Sequence, residues 1–178
     1  MQNYSFAKKF TALAVFIFLG FVMLFSCSKS IIDINIQDLD KVIREKIDFS
    51  EHDDHSYDEY SSDRIKSIFG IGENDAVQII IRKKVDFNNP FNEEIMILAE
   101  AKSNDKAKEI EAKLTEYRAQ RLKILTDYTV RGNEEQYYLV EASEIIVKQR
   151  YVFWVVDARR TEINAVIEQY IKDNGTKS

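Results

Sequence analysis

The chain has few of the residues that cross-link or interrupt a fold. Among its 178 residues there are one cysteine, one proline and five glycines. A single cysteine excludes an intramolecular disulfide scaffold and a zinc site built from several cysteines. So little glycine and proline excludes a linker-rich or low-complexity chain. Hydrophobic residues make up 45% of the sequence and charged residues 31%, which suits one compact domain with a core.

The sequence also lacks the short patterns that mark common catalytic centres. Neither the G-x-S-x-G nucleophile pattern nor the H-E-x-x-H zinc pattern occurs. Gly70-Ile71-Gly72 lacks the strand–loop–helix context of a phosphate loop, so it is interpreted as a turn. The sequence indicates no cofactor and favours a protein that is not an enzyme.

The first 27 residues have the pattern of a bacterial lipoprotein signal. Lys8 and Lys9 form a positive n-region, and residues 10–25 contain no charge. Leu24-Phe25-Ser26-Cys27 resembles the lipobox that signal peptidase II cleaves before the cysteine. Acyl chains on Cys27 would then hold the protein, since two or more chains anchor stably whereas one anchors only marginally. An uncleaved N-terminal membrane anchor is the alternative.

This leader divides the chain into three parts. Residues 1–26 are the signal peptide, 27–35 a lipidated tether, and 36–174 a single α+β domain. We expect the mature protein on the outer face of the bacterial cytoplasmic membrane, or at the outer membrane if the source is Gram-negative. Cleavage removes two of 25 basic side chains and none of 30 acidic ones, which leaves a net charge of −7. An acidic protein is a poor partner for nucleic acid.

Hydrophobic periodicity predicts two small helices followed by two strand–strand–helix units. The helices are expected at 37–48, 62–69, 105–128 and 159–172, with a short one at 134–141, and the strands at 75–85, 93–102, 144–148 and 151–157. Because the strands of each pair are close in sequence, each pair should be an antiparallel hairpin. The predicted fold is a four-stranded antiparallel sheet with helices packed on one face, an α+β fold.

The last strand is apolar on both faces, whereas antiparallel sheets usually keep one face polar. The second face of the sheet therefore needs a cover. That face is expected to hold Val152 and Trp154, together with Ile80, Met96 and Leu98. The cover is either the N-terminal helix or a partner or small ligand bound in a groove. Val152 and Trp154 are thus candidate residues of a partner face.

Residues 48–63 hold seven acidic side chains, no lysine or arginine, and both histidines of the chain. The rest of the mature chain is balanced, so all of its net charge lies in this segment. His52, Asp53, Asp54 and His55 could ligate zinc or manganese, which accept imidazole and carboxylate. The alternative is a solvated loop that joins two helices.

Several segments resemble one known family. Residues 62–71, SDRIKSIFGI, resemble a short helix that ends in an aromatic–Gly–Ile turn. Residues 97–102, ILAEAK, followed by 105–110, DKAKEI, resemble a strand leading into a long charged helix. Residues 139–142, LVEA, and 147–153, VKQRYVF, resemble a tract that closes in a lysine–turn–Tyr-Val hairpin.

Together these segments resemble the small Gram-positive lipoproteins catalogued as domain of unknown function 4358, over residues 36–172. The resemblance implies export and a compact α+β domain. It brings no known activity, cofactor or catalytic residue. This chain departs from the family pattern at Gln149-Arg150, where the pattern has a glycine.

The sequence thus predicts a membrane-anchored lipoprotein that serves as a noncatalytic binding or accessory module of the cell envelope. Its partners would be the membrane, through the lipid on Cys27, and an unknown envelope protein or small ligand. The alternative is a membrane-tethered, metal-assisted enzyme that uses the cluster at residues 52–55.

Replacing both histidines, His52→Ala together with His55→Ala, is expected to leave the melting temperature unaltered in added zinc, because a solvated loop holds no ion. Thermal unfolding with and without zinc measures this. A zinc-dependent rise in the melting temperature that the double variant loses would instead support the metal-assisted enzyme.

Overall fold

Five helices and seven strands make up the part of the chain that the structure, a computed structural model, describes. That part comprises residues 31–47, 57–84, 89, 91–127 and 134–177. The helices are α1 (Ile36–Lys46), α2 (Ser62–Phe69), α3 (Asn104–Asp127), α4 (Glu134–Glu141) and α5 (Arg160–Asn174). The strands are β1 (Ile31–Ile32), β2 (Tyr57–Glu59), β3 (Ala76–Lys84), β4 (Ile95–Ala101), β5 (Ile145–Lys148), β6 (Tyr151–Val156) and β7 (Thr176–Lys177).

The main sheet is antiparallel throughout and has the strand order β2-β3-β4-β6-β5. The four predicted strands are neighbours in it, and the predicted α+β fold is confirmed. The sequence analysis missed β2, which pairs with only three residues of β3. A three-residue strand is too short to show an alternating pattern. β1 and β7 pair separately as a two-stranded sheet.

One face of the main sheet packs under α2, α3 and α4. Its buried side chains come from alternate positions of the central strands and include Ile97, Val152 and Trp154. Against them lie Ile110 and Leu114 of α3, which are fully buried. The long stripe on α3 therefore faces the core, as its helical spacing predicts.

The opposite face is buried too, under α1 and α5, so helices pack on both faces of the sheet rather than on one. The N-terminal helix α1 provides part of this cover, as one of the two expected alternatives had it. Leu98 pairs with Phe153, and the two side chains share this second face. Val152 and Trp154 point the other way, because neighbouring residues of a strand alternate between faces. Val152 and Trp154 were expected on the same face as Leu98, because the periodicity of a single strand does not reveal the register between β4 and β6.

The fold begins before α1, inside the stretch that the sequence assigned to the tether. The Tyr151 hydroxyl accepts a hydrogen bond from the Ile34 amide at 3.0 Å and donates one to the Ile34 carbonyl at 3.2 Å. The Gln149 Oε1 accepts a bond from the Ile32 amide at 2.9 Å. Asn35 then caps α1 by accepting bonds from the amides of residues 37 and 38. Residues 31–35 therefore belong to the fold.

Gln149 also explains the departure from the family pattern. It has a φ of 54°, in the left-handed region that favours glycine. A side chain in this conformation costs of order 1–3 kcal/mol. The bond from its side chain to β1 offsets part of this cost, and glycine could not make it.

An ion pair with little exposure fastens α1 to β3. The Arg82 guanidinium donates to both carboxylate oxygens of Asp40, at 2.7 and 2.8 Å, and the Arg44 Nε donates to the same carboxylate at 3.1 Å. The Asp40 side chain is only 5% exposed. Its charge therefore depends on these partners, because a buried carboxylate without a partner is strongly unfavourable.

Arg82→Ala is expected to lower the free energy of unfolding by about 2–3 kcal/mol, because it leaves the Asp40 carboxylate with only Arg44. Urea denaturation measures the loss. Lys41→Ala, which removes an exposed ion pair with Glu45 on the same helix, is the matched control and should change stability by less than about 0.5 kcal/mol. Equal effects of the two variants would contradict the role assigned to Asp40.

Candidate functional site

A groove lies between α2 and the outer edge of β3. Its volume is about 540 Å³, within the range of small-ligand and peptide pockets. Its lining consists of Ser62, Asp63, Ile65 and Lys66 on one side and of residues 70–79 on the other. Short helix, turn and strand thus meet here within 18 consecutive residues of the chain.

Part of the β3 backbone faces this groove without a neighbouring strand. β2 covers only Arg82–Lys84, so within the described residues no strand pairs with positions 77–80 on that side. The Tyr60 amide donates to the Ile81 carbonyl at 3.0 Å, which shows that Ile81 directs its backbone groups away from β4. Ile79 lies two residues earlier and has the same orientation. Its N–H and C=O therefore point into the groove.

The groove has an apolar floor and a charged rim. Ile65 and Ile71 are 3% and 1% exposed and belong to the core under α2 and α3. Val77, at the irregularity in the β3–β4 register, is 61% exposed, and this is high for a large aliphatic side chain. Asp63 and Glu73 on the rim are exposed. This combination suits a ligand with both apolar and polar groups.

Asp75 holds the turn at one end of the groove in place. Its carboxylate accepts bonds from the Lys113 Nζ at 2.8 Å, the Lys106 Nζ at 3.3 Å and the Gly72 amide at 3.1 Å. The Lys113 Nζ also donates to the Gly70 carbonyl at 2.8 Å. The Lys113 hydrogen bond is the main reason why the pKa of Asp75 is lowered to about 2. The turn is thereby attached to α3.

A second cluster of charges lies at the other end of the sheet. The Arg121 Nε donates to both oxygens of Glu93 at 3.0 Å, and the Glu93 amide donates to the Gln136 side chain at 2.8 Å. The Lys83 Nζ donates to the Asn92 carbonyl, and burial lowers the pKa of Lys83 to about 8. Such perturbed groups occur at functional sites and in structural networks alike. Here the named residues are hydrogen-bonded to one another, and these bonds join the segment just before β4 to α3 and α4.

The predicted partner-face residues do not line the groove. Val152 and Trp154 are 0% and 1% exposed and lie beneath the helices of the first face. The Trp154 indole donates to the Ser143 hydroxyl at 3.0 Å, which satisfies its one polar atom. These two residues belong to the core and offer no surface to a partner.

The other predicted site residues lie outside the described part of the chain. These are Cys27 and the cluster His52, Asp53, Asp54 and His55. Within the described ranges, no group of three or more histidine, cysteine or carboxylate side chains is placed to hold a metal ion. No helix in those ranges is long and apolar enough to cross a membrane.

The groove was not predicted from the sequence, although the turn beside it was. Gly70 and Gly72 were interpreted as a turn, and Gly70 does end α2 with a φ of 65°. Asp75 was placed at the start of a strand, and its two lysine partners lie 31 and 38 residues away. Such distant contacts leave no local pattern.

Comparison with known proteins gives one family. Residues 50–157, more than half of the chain, match the family described as Domain of unknown function (DUF4358). No curated protein and no solved structure matches the chain significantly. The matched range is narrower than the expected 36–172. It contains the groove and Asp75, and it leaves out α1 and α5.

Asp75→Asn is expected to destabilise the protein by about 1–2 kcal/mol at pH 7, after allowance for solvent around Lys106 and Lys113, whose side chains are 32% and 33% exposed. A carboxyl whose folded pKa is lowered stabilises the fold above its unfolded pKa, near 4, and loses this contribution as the pH falls towards 2. The difference between wild type and variant should therefore shrink between pH 5 and pH 2.

Urea denaturation across this pH range provides the measurement. Asp105→Asn, at a side chain that is 91% exposed, is the control and should show almost no effect at any pH. A destabilisation by Asp75→Asn that stays constant down to pH 2 would show that the charge of Asp75 is unimportant.

Proposed function

The chain belongs to the DUF4358 family, a domain of unknown function, and from this premise we propose that it is an exported lipoprotein, anchored through Cys27, that acts as a noncatalytic binding module of the cell envelope. The groove between α2 and β3 is the proposed binding site. Its open backbone edge is the single observation that carries the binding role, because a sheet edge without a neighbour offers hydrogen bonds that a partner can complete.

The burial of the sheet supports this choice of site. Both faces of the sheet are covered by helices of the same chain, so neither face is open to a ligand. One of the large apolar side chains that are exposed in the described residues, Val77 on β3, lines the groove.

The leader supports the anchor. Lys8 and Lys9, the uncharged stretch and the lipobox-like Leu24-Phe25-Ser26-Cys27 have the order of a lipoprotein signal. Four residues take the chain from Cys27 to Ile31, where the fold begins, and four residues reach at most about 14 Å. An acylated Cys27 would therefore keep this end of the domain near the membrane surface.

The turn end of the groove lies at the same end of the sheet as Ile32. The Ala101 amide donates to the Arg150 carbonyl, and the Lys102 amide donates to the Asp75 carbonyl. Asp75 is thus at the end of the sheet that also carries the β5–β6 turn, to which Ile32 is bonded.

Cys27→Ala is expected to abolish acylation and cleavage, because the thiol is the only atom that can receive the lipid thioether. Metabolic labelling with an alkyne fatty acid, followed by gel migration and membrane fractionation, measures both. Ser28→Ala is the control and should be labelled like wild type.

Two outcomes would contradict the anchor. One is label that persists in the Cys27→Ala variant. The other is a wild-type chain whose size does not change when signal peptidase II is blocked, which would favour an uncleaved N-terminal membrane anchor.

A further inference from the structure

We propose that the groove binds an extended, basic segment of another envelope protein, which adds to the sheet as an antiparallel strand beside β3. This inference rests on the proposed binding function and specifies the chemical character of the partner segment. The segment would alternate apolar and basic residues, with its apolar side chains on the floor of the groove. Strand addition of this kind takes its affinity from main-chain bonds and its specificity from alternate side chains.

The backbone of β3 sets the pairing. Ile79 directs its N–H and C=O into the groove, and positions 77–80 have no strand beside them among the described residues. In an antiparallel ladder, the residue opposite Ile79 would exchange both backbone bonds with it. Four residues of strand extend about 14 Å, so a short segment suffices.

The pleat of β3 sets the side-chain pattern. Directly opposed residues of an antiparallel pair have side chains on the same face of the sheet. Ile79 packs against the core under α2, where Ile65 and Ile71 are buried. The incoming residue opposite Ile79 must therefore be apolar, and its two neighbours point to the opposite face of the sheet, the face on which the exposed Glu59 lies opposite Arg82.

Charge selects a basic segment. The rim carries the exposed carboxylates of Asp63 and Glu73, with Lys66 as the one base of the lining. Glu59, at the end of β2 next to the open edge, is 60% exposed although it also contacts Arg82. In the sequence, residues 48–63 contain seven acidic side chains and no lysine or arginine, and hold the whole net charge of the mature chain. Lysine or arginine in the incoming strand complements this charge.

The same charge disfavours two other occupants. A second copy of this chain would bring the same acidic rim against the first, and like charges across an interface are unfavourable. The chain's own residues 48–56 are acidic as well, with no lysine or arginine. Neither candidate supplies the complementary charge that a basic partner does.

Synthetic peptides test the proposal on the full-length lipidated protein in nonionic detergent. The probe is a capped, fluorescent octapeptide of alternating lysine and valine, and the matched control alternates glutamate and valine. We expect the lysine peptide to bind at least about tenfold more tightly in fluorescence anisotropy. Equal binding of the two peptides would overturn the assignment of a basic partner.

N-methylation of the peptide tests strand pairing directly. In the proposed register the valine amides face β3 and the lysine amides face solvent. Methylation of the valine amides should weaken binding by at least about tenfold, because each one loses a main-chain bond, whereas methylation of the lysine amides should have little effect. Equal effects of the two methylated peptides would overturn the pairing.

Variants of the protein locate the site. Val77→Lys should weaken binding of the lysine peptide by about tenfold, since it adds a like charge at the exposed edge, while Val77→Glu should not weaken it. Tyr138→Lys is the matched control, because Tyr138 is a similarly exposed apolar residue on α4, away from the groove. A weakening that is equal for Val77→Lys and Tyr138→Lys would overturn the site.

Sedimentation of the same samples adds a further outcome. Conversion of a wild-type dimer to a monomer by Val77→Lys would show that a second copy occupies the edge, and would overturn the proposal. A negative result for peptide binding can be distinguished from a negative result for the lipid anchor. The peptide results do not depend on acylation, and labelling at Cys27 does not depend on the peptides.

Discussion

The whole structure depends on the complete burial of β6. All six of its residues, Tyr151–Val156, are at most 2% exposed. A strand in the middle of an antiparallel sheet can be buried along its length only if each face has its own layer of helices. Helices α2, α3 and α4 form one layer, and α1 and α5 form the other. Both faces are therefore closed to a partner, and a partner strand could pair only at an edge, as in any sheet.

This constraint also explains why the folded unit is larger than the region that matches the family. The match covers residues 50–157, with the sheet and one helical layer. Tyr151, Phe153 and Val155 point to the opposite layer, which lies outside the match. Removing the chain up to the end of α1 would expose that face, break the ion pair of Arg82 with Asp40, and remove the hydrogen bonds of Tyr151 to Ile34. In this chain, therefore, burial of the second face of the sheet requires α1 and α5, which lie before and after the matched range.

Local patterns predicted the elements well, and long-range contacts account for what they missed. Helix α2 was predicted at its observed bounds, because Ser61 and Gly70 mark its two ends within the sequence itself. The face of Trp154 depends on its pairing with Ile97, 57 positions earlier in the chain, and no periodicity in either strand gives that register. The groove was missed for the same reason, since Asp75 finds its lysine partners on α3 only in the folded chain.

The edge of β3 beyond β2 is open, but its adjoining turn is fixed to α3, and this combination favours binding over aggregation. Natural sheets protect their edges by shortening, bulges or charge, and β3 has a register shift at Val77, a three-residue neighbour in β2 and an acidic rim. These devices disfavour pairing with another acidic edge, while the Asp75 contacts hold the adjoining turn against α3. A partner that pairs with a pre-formed edge loses less conformational entropy than one that must order it first. An edge that repels a second acidic edge therefore remains available to a basic strand.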